Sequence, residues 1–105
     1  MLNKFEKGIM WVRIDRQRIP QVCRTYKGFS IMRNGKQWLV IHNVSSLAVN
    51  SNRDRKYAEK LCIFLADNYE ETWDGKFTSW IDINEGFQMG MHHLITKFNR
   101  EDLWR

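Results

Sequence analysis

The stretch GFSIMRNGKQWLVIH, residues 28–42, does most to restrict what this chain can fold into. Asn34-Gly35 lies there between two alternating runs. Asn-Gly in that setting is a strong hairpin signal, because a type I′ turn needs positive φ at both central residues. A two-residue loop at Asn34-Gly35 predicts Arg33 opposite Lys36, Ile31 opposite Trp38 and Phe29 opposite Val40, all on one face with His42. Ser30, Met32, Gln37, Leu39 and Ile41 take the other face. Arg33 and Lys36 then meet at the tip, a small cost that a solvated tip tolerates.

The flanks extend the sheet. In residues 9–14, Met10, Val12 and Ile14 alternate with Trp11 and Arg13, the period of a strand. Residues 15–18, Asp-Arg-Gln-Arg, have no apolar member and read as a turn. Residues 19–24 read as a second strand with Pro20 near its start, where an edge tolerates proline. Tyr26-Lys27-Gly28 is the next break.

After His42 a polar loop is expected, ending in Asn50-Ser51-Asn52. Ser51 or Asn52 is then the cap of a helix over about residues 53–68, with Ser51-x-x-Asp54 resembling a capping box. Ala58, Leu61, Cys62, Leu65 and Tyr69 form its apolar stripe. Residues 76–83 read as a further strand, because Phe77, Ser79, Ile81 and Ile83 share one parity. A second helix follows, capped by Asn84, with Phe87, Met91, Leu94, Ile95 and Phe98 on one side. Gly86 and Gly90 each weaken it by about 1 kcal/mol relative to alanine. The expected architecture is a single compact α+β domain over residues 1–105. An antiparallel β-meander of three to five strands carries one or two helices packed on one face. Phe29, Ile31, Trp38 and Val40 are expected under the first helix.

A length of 105 residues suits one core, and 43% apolar residues argue against disorder. No apolar run approaches the roughly 20 residues that span a bilayer, and the first residues do not form a secretory signal. Cys23 and Cys62 lie far apart with no C-x-x-C, which points to reduced thiols and a cytoplasmic setting.

Charge is concentrated near the N-terminus. Residues 1–36 hold nine Lys/Arg against Glu6 and Asp15, whereas residues 37–105 hold eight basic and ten acidic residues. Arg13, Arg16, Arg18, Arg24, Lys27, Arg33 and Lys36 are the candidate contacts for an acidic or polyanionic partner. An alternative is direct nucleic-acid binding on a basic sheet surface. Trp11 with Arg13, Tyr26 with Lys27, and Trp38 with Arg33 and Lys36 are combinations that stack bases and hold phosphates. The RNA-recognition signature is missing from the sequence.

Chemical motifs are few. His92-His93 are adjacent, so on a helix they point about 100° apart and do not share one ion as an i, i+4 pair does. Asp67 with Asp74-Gly75-Lys76 loosely follows the carboxylates and lysine of Mg²⁺-dependent nucleases, a less favoured alternative. There is no G-x-S-x-G and no glycine-rich phosphate loop. The expectation is a protein that is not an enzyme and holds no metal or cofactor.

Three segments within residues 28–66 share a further pattern: G-F-S-I-x-R, then K-Q-W-L-V-I-H-N-V-S-S-L-A-V, then R-K-Y-A-E-K-L-C-I-F-L-A. They resemble small accessory proteins encoded by bacteriophages and related mobile elements. Ser46-Leu47-Ala48-Val49 carries the strand exit, and Arg55-Lys56-x-Ala58 the helix start. The resemblance implies a host bacterial cytosol and a role in binding host proteins, antiviral defence complexes among them. The expected function is a non-catalytic phage-type inhibitor that occludes a host defence or nucleic-acid-processing complex.

Overall fold

A computed structural model describes residues 4–69 and 80–105, and for residues 13, 14 and 80–84 the backbone alone. Five strands come first: β1 (Glu6–Ile14), β2 (Gln17–Tyr26), β3 (Phe29–Asn34), β4 (Gln37–His42) and β5 (Leu47–Asn52). Two helices follow, α1 (Arg55–Asn68) and α2 (Trp80–Arg100). The strands form one antiparallel meander in sequence order, as the α+β reading expected.

Turn chemistry sets the register, and it departs from the sequence reading at the central hairpin. Asn34 pairs with Gln37 and Arg33 with Trp38, so the two-residue loop is Gly35-Lys36. Within that loop φ is positive at Gly35, +61°, and not at Lys36. A glycine in the first central position is the mark of a type II′ turn. Arg33 therefore faces Trp38, not Lys36, and its Nε donates to the Gly35 carbonyl at 3.1 Å. The pairing is displaced by two residues, which leaves every side chain on its expected face. Gly35→Ala should cost about 1–2 kcal/mol, read from the denaturation midpoint, because a Cβ is strained at this φ.

The type I′ geometry appears in the first hairpin instead. Asp15 (φ 50°) and Arg16 (φ 66°) form its entire loop, with Ile14 paired to Gln17. Gln17 and Arg18 thus belong to β2, not to a turn. The double variant Asp15→Asn/Arg16→Gly places the preferred Asn-Gly pair there and should stabilise the chain by about 1 kcal/mol in urea unfolding.

The stretch after His42, expected as a polar loop, contains β5. Ala48 pairs with Ile41 and Asn50 with Val40, so Val49 is an inserted bulge residue. The cap of α1 is Asp54 rather than Ser51 or Asn52. Its carboxylate accepts from the Lys56 N–H at 2.9 Å and the Tyr57 N–H at 3.5 Å. Asn52 supports it by accepting from the Asp54 N–H at 2.7 Å. The expected strand over 76–83 is also corrected in part: Trp80 to Ile83 are helical, so α2 starts before Asn84, and residues 76–79 lie outside the described residues.

The main core lies between the sheet and the helices. Phe29, Ile31 and Val40 meet Ala58, Leu61, Cys62 and Leu65 of α1 and Met91 and Phe98 of α2. A smaller cluster of Cys23, Met32 and Ile41 fills the other face, with Met10, Val12 and Leu39 packed on it.

Candidate binding surface on the β1–β2 arm

The β1–β2 hairpin outgrows the sheet. β1 and β2 pair over nine rungs, from Glu6–Thr25 to Ile14–Gln17, but β3 joins β2 only at Arg24, Thr25 and Tyr26. The remainder is an arm. Four successive rungs of one parity are Lys7–Arg24, Ile9–Val22, Trp11–Pro20 and Arg13–Arg18. Two apolar rungs are thus bracketed by two basic ones. In the sheet proper this parity belongs to the helix face, since Arg24 pairs with Ile31 and Tyr26 with Phe29. The helices cover β3 to β5 and leave the arm open. Ile9, Trp11 and Val22 remain 65%, 60% and 57% exposed. Lys7, Arg18, Pro20 and Arg24 are exposed as well.

Pro20 shows how local chemistry fits this register. A two-residue loop makes Ile14–Gln17 a hydrogen-bonded pair, and bonded pairs alternate along the hairpin. Trp11–Pro20 consequently falls on a non-bonded rung. Proline's missing N–H is on the side turned away from β1, where β3 no longer pairs.

The seven basic residues singled out from sequence do not form one site. Arg16 is at the arm's tip, Arg18 is along it, and Arg24 is at its base, where β3 begins to pair. Arg13 is on β1 opposite Arg18, and its side chain lies outside the described residues. Arg33 and Lys36 are exposed at the separate β3–β4 tip. Lys27 is in the β2–β3 turn and engaged: its Nζ is 3.4 Å from Asp67 Oδ1.

The other aromatic–basic combinations are occupied. Trp38 packs on the core and carries the Arg55 guanidinium 5.0 Å over its ring. The Tyr26 hydroxyl donates to Asp67 Oδ1 at 2.8 Å. That hydrogen bond holds the Asp67 carboxyl below its ordinary value and the Tyr26 phenol above its own. With Asp67 depressed, its contribution to stability is present above the normal carboxylate range and fades as pH falls through it.

Other candidate chemistry is not assembled. Asp67 of the nuclease pattern serves Tyr26 and Lys27, while Asp74 and Lys76 lie outside the described residues. Among the described residues no three His, Cys, Asp or Glu side chains group to hold a metal. His92 and His93 are exposed on α2. His42 is buried among the rings of Phe29, Tyr69 and Phe87, with Nδ1 2.8 Å from Ser45 Oγ. Cys62 is fully buried, and burial pushes its thiol up to about 12. It should resist a thiol reagent in the native chain and react once the chain is unfolded, as mass spectrometry would show.

Ile9, Pro20, Val22 and Lys7 were not foreseen as surface residues. One signal was present: β1 is apolar at both parities, Ile9 and Trp11 on one and Met10 and Val12 on the other. A strand with one solvated face ordinarily alternates with polar residues.

No family model, curated protein or solved structure matches the chain. Among the described residues no helix is long and apolar enough to cross a membrane.

Proposed function

We propose that this chain is a non-catalytic binding protein that docks through the arm onto an acidic surface of a protein partner. The observation that carries this reading is a face with Ile9, Trp11, Pro20 and Val22 at its centre and Lys7, Arg24 and Arg18 at its ends, which the described helices leave exposed. Exposed apolar area rimmed by polar groups is typical of interaction sites. The apolar part supplies affinity at its centre, and the basic ends of the patch speed encounter with an acidic partner. In the setting that the phage-protein resemblance implies, the partner is a host defence or nucleic-acid-processing complex in the cytosol, and the protein acts by occluding it.

Affinity capture from bacterial lysate at physiological salt, with and without nuclease treatment, tests the reading. A stoichiometric protein that survives nuclease supports it, and recovery of none at low or physiological salt counts against it.

Direct nucleic-acid binding is favoured by one observation, exposed Trp11 sharing a face with exposed Lys7, Arg18 and Arg24. A stacking ring among phosphate contacts suits a single strand. Two features weigh toward protein. The remaining apolar members, Ile9, Val22 and Pro20, are aliphatic, and the other two aromatic–basic combinations are engaged within the fold. Fluorescence anisotropy with labelled single- and double-stranded DNA and RNA decides. Binding that collapses with added salt would support the nucleic-acid reading.

A further inference from the structure

We propose that the outer edge of β1 accepts an additional strand: an extended segment of a partner protein with acidic residues at its ends and apolar residues between them on one face. This rests on the arm being the docking surface, and it specifies how the partner is held.

The two edges of the arm are not alike. On β2, the stretch beyond Arg24 is also without a strand neighbour, but Pro20 interrupts its outward N–H groups. Proline at an edge is one of the ordinary guards against strand addition. On β1 the corresponding groups are intact. The alternation fixed by the Ile14–Gln17 pair directs Gly8, Met10 and Val12 to bond β2. The N–H and C=O groups of Lys7, Ile9 and Trp11 are thereby directed to the outer edge. Among the described elements β1 has β2 as its sole strand neighbour. Its nine rungs with β2 run without a bulge, and the edge contains no proline. At nine residues β1 is also long for an edge strand. Shortness, bulges and proline, three of the usual devices that blunt an edge, are missing here.

Side chains select the incoming strand. Lys7, Ile9 and Trp11 are successive same-face residues, and Arg24 and Arg18 flank them from β2. A neighbouring strand would gain by placing carboxylates beside the basic rungs and apolar side chains beside Ile9 and Trp11. Main-chain bonds give affinity in this mode and alternate side chains give selectivity. A second copy is disfavoured as the occupant, because pairing two such arms sets basic rungs against each other.

A synthetic peptide with the order Glu-Thr-Val-Thr-Val-Thr-Glu, compared with a scrambled peptide of the same composition, is the probe. Hydrogen exchange followed by NMR on the full chain reads the amides of Lys7, Ile9 and Trp11 individually. They should exchange rapidly in the free protein and become protected with the ordered peptide, more than with the scrambled one. Ile9→Pro, which removes one outward donor, should weaken binding about tenfold, whereas Ile9→Val should retain it. Peptide binding with no protection of these amides overturns strand addition and leaves face docking in place. Absence of peptide binding, while a lysate partner is still retained through the arm, overturns the inference alone. Absence of both removes the inference together with the docking surface. Protection that rises with protein concentration and needs no peptide assigns the edge to a second copy and contradicts the proposal.

Discussion

Replacing Phe98 by alanine is expected to lower the free energy of unfolding by about 3–5 kcal/mol. Phe98 is 1% exposed and sits where α2 meets α1, with ring centroids 5.4 Å from both Tyr57 and Phe64. Truncation removes the transfer energy of a whole ring and leaves a cavity that α1 cannot collapse into without leaving the sheet. A domain of this size has about 5–15 kcal/mol in total, so one substitution consumes much of it. Urea unfolding followed by circular dichroism gives the value. A loss below about 1 kcal/mol would mean that α2 is not seated on α1 as described.

The arm should behave in the opposite way. The double variant Ile9→Ser/Trp11→Ala is expected to reduce partner affinity by at least about 2 kcal/mol, roughly thirtyfold. Its stability should fall by no more than about 1 kcal/mol, since these side chains are largely in water and lose mainly cross-strand contacts with Val22 and Pro20. Large apolar residues thus fall into two classes here. Phe98 is needed by the fold, whereas Ile9 and Trp11 contribute little to it.

Much of the fold was legible because face assignment tolerates a particular error. Slipping the β3–β4 register by two residues changes every partner yet moves no side chain between faces. Phe29, Ile31 and Val40 were therefore recognisable as core although the turn was assigned to Asn34-Gly35 and not Gly35-Lys36. The stripes of α1 and α2 were equally plain from their spacing. β5 was not, because Asn50-Ser51-Asn52 is polar and the bulge at Val49 breaks the alternation. The start of α2 was obscured because Ile81 and Ile83 satisfy a period of two.

The candidate surface was only half legible. Composition revealed the basic residues but could not group them, and the structure separates Lys27, Arg33 and Lys36 from the arm. Periodicity placed Ile9 and Trp11 on one face. Which part of that face the helices leave uncovered depends on where β3 stops pairing with β2, a tertiary fact with no local signature.

The open face of the arm is proposed to hold a protein partner. Quantitative capture from nuclease-treated lysate, run in parallel on the native chain and on Ile9→Ser/Trp11→Ala with matched unfolding midpoints, tests it most directly. A stoichiometric partner retained by the native chain and lost by the double variant is the expected result. Equal retention of the same partner by both chains would contradict it.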